Sequence, residues 1–403
     1  MTDHRAGELL LPEGFCFSAL AAGIKASGRP DLAVVEAPLG ANAAALFTTN
    51  RVVAAPVIVG RNNLKASGGR LRAIVINAGN ANCATGKLGL RAAEEVCRAA
   101  GKLLNAPASQ VFPSSTGIIG VPLPVEKITN HLSEALRATQ PTQDAARAFA
   151  QAILTTDTRP KWASARFRAD GEDVTVMGIA KGSGMIHPNL ATMLVYIFTD
   201  AVASAGVLRD VLAATTDETF NCISVDGDTS TNDTVLLCAS GASGVAVAKG
   251  KAARDFAEAL EKVCRSLSEQ IVSDGEGVRH VVTLKIEQAR NIAEARQIAR
   301  VIAHSLLVKT AWAGADPNWG RILAAIGRSG VPLDPGRVNI FIGKHQVCRN
   351  GMAHPFTESA VHQYMSLPSY EISVRLGRGK SAGRFVTCDL TAEYVHINAD
   401  YST

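Results

Sequence analysis

The sequence lacks the marks of several protein classes. Among its 403 residues are eight cysteines, yet none stands in a C-x-x-C pair. Neither a zinc site nor a disulfide framework is indicated. Cys16, Cys83, Cys97, Cys222, Cys238, Cys264, Cys348 and Cys388 read as reduced, buried thiols of a cytoplasmic protein. No apolar run approaches the ~18 residues needed to cross a bilayer, so no membrane association is expected. The opening "MTDHRAGELLLPEGF" has no cationic stretch leading into an apolar one, and a secretory signal is not expected. The formal net charge of +5 is small for this length, and no basic run is interleaved with aromatics. "RLGRGK" (375–380) is short enough to be a solvated loop, so nucleic acid is not an expected partner.

What is present is ordinary globular material, 47% hydrophobic and 19% charged, in a length suited to two or three compact units. Short β-branched runs read as strands at 72–77, 174–180, 193–198, 234–240, 281–287, 338–343, 371–376 and 385–391. Helical patterns cover 89–104, 125–138, 143–154, 251–272 and 291–310. In the last, Ile292, Ala299, Ile302, Ala303 and Leu306 share one face. The mixture predicts an α/β (α+β) fold with sheets covered by helices. A boundary near residue 285 is expected, giving units 1–285 and 286–403.

Several motifs could carry chemistry. "KGSG" (181–184) lets successive N–H groups face one concavity, suiting an anion; a plain turn between strands serves equally well. It is neither a phosphate loop nor a dinucleotide fingerprint. "SSTGIIG" (114–120) reads as a turn whose Thr-Gly pair can aim a hydroxyl and an N–H at one point, as an oxyanion requires; the alternative is a Ser/Thr-rich loop. "INAGNANCATG" (76–86) reads as a tight loop of αL turns. "DGDTSTNDT" (226–234) imitates a calcium loop, but Thr231 stands where glycine is wanted and Leu237 where glutamate is wanted. Asx and Ser/Thr turns are the better reading. No histidine pattern indicates a metal, and no G-x-S-x-G marks a serine nucleophile.

Thr192, after Ala191 and before an oily run, raises a sharper question. A threonine hydroxyl needs a base beside it. An ordinary lysine has a pKa of ~10.4, whereas an α-amino group has ~7.7–8.0. A threonine at a chain terminus therefore carries its own base. Breaking the Ala191–Thr192 bond would create that terminus: the hydroxyl attacks the preceding carbonyl, an ester forms, and water releases it. The rival reading is a plain strand start.

Taken together, the motifs resemble the ornithine acetyltransferase family, the arginine-biosynthesis bifunctional glutamate N-acetyltransferases. The resemblance runs through "FTTNRVVAAPV" (47–57), "NAGNANCATG", "SSTGIIG", "TTDTRPK" (155–161), "KGSGMIHPNLATML" (181–194), "SVDGDTSTNDT" (224–234), "DPNWGRILAAIGRSG" (316–330) and "NADYST" (398–403). Leu190 stands where methionine is common, a volume-conserving change. The resemblance implies a layered αββα-like core, with a smaller C-terminal α/β unit. It implies self-cleavage into an α chain of 1–191 and a β chain of 192–403, assembled as an α2β2 heterotetramer. Thr192 would be the nucleophile and its α-amine the base, with Thr116 and Gly117 as the oxyanion hole. Thr155, Lys181, Thr192, Glu276, Asn398 and Thr403 would bind substrate; Thr156 and Thr158 lie beside Thr155.

The implied reaction moves acetyl from N-acetylornithine to glutamate through an acetyl-threonine, with no metal or organic cofactor. Acetyl-CoA is a second candidate donor, which some family members accept. Two rivals from other classes are a related N-terminal-nucleophile amidase or aminopeptidase that gives the acyl group to water, and an uncleaved amino-acid-binding protein.

Overall fold

The computed structural model describes residues 9–186 and 193–400. Its strands are β1 (Cys16–Leu20), β2 (Leu32–Phe47), β3 (Arg70–Asn80), β4 (Val111–Ile118), β5 (Lys161–Ala169), β6 (Glu172–Lys181), β7 (Leu194–Thr199), β8 (Thr234–Ala239), β9 (Val281–Ala289), β10 (Asn339–Ile342), β11 (His345–Arg349), β12 (Met352–Ala353), β13 (Ser369–Arg375) and β14 (Ser381–Cys388). Its helices are α1 (Ala55–Ala66), α2 (Gly86–Leu103), α3 (Val125–Arg137), α4 (Gln143–Ala152), α5 (Ala205–Glu218), α6 (Gly250–Ser273), α7 (Ile292–Ala303), α8 (Leu306–Ala313), α9 (Trp319–Gly327), α10 (Glu358–Met365) and α11 (Ala392–Asp400). The fold is mixed α/β, as the alternation of runs predicts. Among the described residues no helix is long and apolar enough to cross a membrane.

The chain divides into two compact units. One holds the residues up to Asn221 together with Asp228–Ile271; the other holds Cys222–Gly227 and the chain from Val272 through α11. Residue 285, the boundary expected from sequence, lies inside β9, a strand of the second unit.

In the first unit the sheet order is β4-β3-β2-β8-β7-β6-β5, with β1 paired to β2. The 16-residue β2 makes this possible. Its first part pairs with β1 and β3, its second with β8, and the register shifts between Glu36 and Ala41, where Gly40 has φ +81°. Side chains alternate along the strand. Ala33 and Val35 join Ile74, Ile76, Tyr196, Phe198 and Leu236 in one core. Leu32 and Val34 face another, with Val96 of α2 and Leu132 of α3. Burial on both faces explains why these strands are nearly continuous in apolar residues. α4 is started by Thr142, whose side chain accepts the Ala145 N–H.

In the second unit the order is β12-β11-β10-β13-β9-β14; only β9–β13 is a parallel pair. Trp312 anchors its core, with Ile298, Ile302 and Phe385. The single helix expected over 291–310 is two. Ser305 adopts an extended backbone, φ −79° and ψ 108°, and starts α8. The expected apolar face shifts accordingly: Ala295, Ile298, Ala299, Ile302 and Ala303 are buried, whereas Ile292 and Leu306 are exposed.

Phe198 is fully buried, with ring centroids of Phe15 and Phe17 at 5.0 and 5.3 Å. Phe198→Ala is expected to destabilise the first unit by about 3–5 kcal/mol. Leu39→Ala, at a side chain 93% exposed, should stay within about 0.5 kcal/mol. Chemical denaturation checks both, and equal losses would contradict this core assignment.

Candidate functional site

The site of the first unit is built around the end of β6. Lys181 is buried there. Its Nζ donates to Thr155 Oγ1 at 2.7 Å and stands 3.6 Å from Asp157 Oδ2. Asp157 Oδ1 accepts from Lys161 Nζ at 2.7 Å and from the Gly182 N–H at 2.6 Å. The side chains of Asp157 and Lys161 have no exposed surface. Thr156 Oγ1 and Ser183 Oγ lie 2.7 Å apart. Thr155 and Thr156 therefore both reach the cluster. The "KGSG" N–H does hold an anion, and that anion is the chain's own Asp157.

Burial alone would raise the Asp157 pKa. The charges of Lys181 and Lys161, with the hydrogen bonds from Lys161 and Gly182, outweigh it and hold the carboxyl well below the usual range. Two ammonium groups, those of Lys161 and Lys181, thus face one carboxylate in a dry place.

β6 and β7 are antiparallel neighbours, and Lys181 pairs with Leu194. The connection 182–193 thus leaves and returns at one spot. Ala191 and Thr192 lie outside the described residues. Met193, next after them, is buried and fixed on both sides. Its N–H donates to Asp233 Oδ1 at 2.8 Å, and its carbonyl accepts from the Thr234 N–H at 3.1 Å. Asp233 is fully buried, which raises its pKa well above the ordinary value against the pull of the Met193 N–H and the Lys181 charge.

Thr116 and Gly117 are placed differently from expectation. "SSTGI" is the end of strand β4 and not a turn, because it pairs in parallel with β3, Gly117 opposite Gly79. The register breaks at Gly79 and Asn80. Gly117 has φ +133°, and a Cβ there would come 2.3 Å from the Gly79 carbonyl carbon, so only glycine fits. Neighbouring polar residues lock the strand ends. Ser115 Oγ donates to Asn77 Oδ1 at 2.6 Å, and Asn82 N–H donates to Asn80 Oδ1 at 2.8 Å. Asn82 and Ala84 sit at φ 47° and 57°, the αL turns read from "NAGNANCATG". The "STNDT" loop clamps both segments, since Asn232 Nδ2 donates to Ala81 O at 2.7 Å and Ser115 O at 2.9 Å.

Glu276 and Asn398 come together in the second unit: Asn398 Nδ2 donates to Glu276 Oε2 at 2.9 Å. Thr403 lies outside the described residues. Asp157 and Lys161 were not singled out from sequence. The available signal was an acid in "TTDTRPK" with a lysine four residues on. Asp233 and Asn232 had a weaker one, polar residues in a run leading into the apolar strand β8. Among the described residues no cluster of three His, Cys, Asp or Glu could hold a metal. All eight cysteines are free, and every one but Cys16 is buried.

Asp157→Asn removes the carboxylate that the buried Lys161 and Lys181 ammonium groups face and should cost about 3–5 kcal/mol at neutral pH. The folded pKa of Asp157 is depressed below its unfolded value of ~3.9, so its contribution is complete above that pH and fades as pH falls through the folded value. The gap between wild type and variant, read by denaturation at several pH values, should narrow below about pH 4. A gap that does not change with pH would contradict the ionised cluster.

The sequence model of the ArgJ family matches residues 16–403. The arginine biosynthesis bifunctional protein ArgJ of Methylococcus capsulatus is 44% identical over 394 residues, covering 97% of this chain and 95% of that protein. The protein of the same name from Thermus thermophilus is 46% identical over 393 residues, covering 98% and 99%. A crystal structure of arginine biosynthesis bifunctional protein argJ from Bacillus halodurans is 40% identical, with a TM-score of 0.50, over 51% of this chain and 98% of that one. Matched from near its start to its end at this level of identity, the chain belongs to the ArgJ family.

Proposed function

We propose that this chain is a self-cleaving acetyltransferase that moves the acetyl group of N-acetylornithine to glutamate in arginine biosynthesis, with acetyl-CoA as a second candidate donor. The observation that carries the reading is the Thr155–Asp157–Lys181 cluster at the strand end where the connection bearing Thr192 departs and returns. Its buried Lys181 ammonium suits ligands that carry a carboxylate, as both amino acids do. Family membership supports the reading, as does the length of the Bacillus halodurans chain, which is matched almost entirely by about half of this one.

In this reading the Thr192 hydroxyl attacks the Ala191 carbonyl, the amide nitrogen leaves as the Thr192 α-amine, and water hydrolyses the resulting Ala191 ester. The products are an α chain of 1–191 and a β chain of 192–403, which assemble as an α2β2 heterotetramer in the cytoplasm. The anchored Met193 fixes the residue that follows the bond. The freed α-amine then takes the proton of the Thr192 hydroxyl as that oxygen attacks the acetyl carbonyl. The Thr116 hydroxyl and Gly117 N–H stabilise the oxyanion. Ornithine leaves with a proton from the same amine. Glutamate enters, loses its amino proton to that amine, and takes the acetyl group. Lys181 receives the α-carboxylate. Glu276, with Asn398 and Thr403, receives ornithine's side-chain ammonium. No metal or organic cofactor is needed for these steps.

The test is the purified protein with acetylornithine, with and without glutamate, and with acetyl-CoA plus glutamate. N-acetylglutamate formed from acetylornithine supports transfer; free acetate alone would assign a hydrolase instead. Intact mass should give two species split at 191/192, and one uncut, inactive species from Thr192→Ala. Thr116→Val should lower kcat by about 10²–10³ while leaving the two chains cleaved; full turnover in that variant would remove Thr116 from the oxyanion hole.

A further inference from the structure

The loop between β1 and β2 delivers one more cation to this place. Asp31, itself buried, organises the loop. Its carboxylate accepts the N–H groups of Ala22 at 2.7 Å, Ile24 at 2.5 Å and Lys25 at 2.8 Å. Its carbonyl accepts the Ala78 N–H at 2.8 Å, tying the loop to β3. Lys25 is thereby laid over the end of that strand: a Cβ on Gly79 would come 3.1 Å from Lys25 Cγ. Gly79 is the residue paired with Gly117.

The half-buried Lys25 ammonium donates to Pro30 O and to Ala152 O, each at 2.9 Å. Ala152 ends α4, three residues before Thr155. One N–H of the three remains for a ligand. Lys25 therefore joins the strand end that carries Thr116 and Gly117 to the segment that carries Thr155 and Asp157. The groups acting on it confirm its setting. Burial is the largest influence and brings its pKa down to about 8; Lys181 and Arg29 lower it too, while Asp31 and Asp157 raise it.

Donor and acceptor occupy such a site in turn. They share an α-carboxylate and differ at the side-chain end, an ammonium on ornithine and a carboxylate on glutamate. With Lys181 taken by the shared group, a second cation matches only the acceptor. We propose that Lys25 is a specificity-determining residue of this site, its ammonium receiving the side-chain carboxylate of glutamate when the acetyl group is passed on. This assignment rests on the acetyltransferase reading above.

Steady-state kinetics of the self-processed wild type, Lys25→Met and Lys25→Arg test it. Loss of one charge-assisted contact should raise the glutamate KM of Lys25→Met by about tenfold or more. The acetylornithine KM and the extent of scission by intact mass should be unchanged. Lys25→Arg should restore the glutamate KM at neutral pH. In the wild type that KM should climb above about pH 8, as Lys25 loses its proton, and in Lys25→Arg it should stay level, because guanidinium keeps its charge. Equal changes in both KM values, or none, would overturn the assignment while leaving the transfer reading intact. A wild type that makes no N-acetylglutamate would overturn both.

Discussion

The Asp157 carboxylate, closed off from solvent between Lys161 and Lys181, governs what the first unit can do. Buried charges are costly unless paired and hydrogen-bonded. Here Lys161 and Lys181 both face the carboxylate, and the Lys161 and Gly182 hydrogen bonds add to it. The same carboxylate holds the Gly182 N–H and so fixes where the chain leaves β6. The carboxylate that gathers these ammonium groups thus also sets the departure point of the 182–193 connection.

A second constraint is the loop that precedes β8. Asn232 bridges the segments after β3 and at the end of β4, while Asp233 holds Met193. Thr48 Oγ1 adds a bond to Ser230 O at 2.6 Å. Three segments far apart in sequence are therefore set against one another by side-chain amides and carboxylates rather than by apolar packing alone. Such networks specify geometry, and here, among the described residues, Asp233 Oδ2 is the buried atom left with no hydrogen-bond partner. Gly117, with no room for a Cβ, is the point where this close approach is tightest.

Much of the fold was legible because strands such as β7 and β8 are buried along their whole length and read as apolar runs, while β9 and β13 alternate and are rich in β-branched residues. β2 was not: no strand was expected over 32–47, where Pro38 and Gly40 interrupt the run "LAVVEAPLGANAAALF". Its bend is what lets one strand serve two neighbours. The split at Ser305 was hidden because the apolar spacing continues across it. In the candidate site, the company of their motifs singled out Thr155 and Lys181, which the fold brings together, and Thr116 and Gly117, at the end of β4. The charge partners were harder. Lys25 and the Ala152 carbonyl are 127 residues apart, and nothing in either stretch names the other. "SSTGI" looked like a turn because small polar residues usually make turns. In the fold, pairing with β3 overrides that preference.

The central claim is that acetyl passes through the hydroxyl at position 192. The most direct measurement incubates the processed protein with acetylornithine in the absence of glutamate, then maps the acetyl group by peptide mass. The account predicts an acetyl ester on the first residue of the 192–403 chain, discharged as N-acetylglutamate when glutamate is added. An acetyl group trapped on a different residue, or steady transfer with position 192 never labelled, would contradict it.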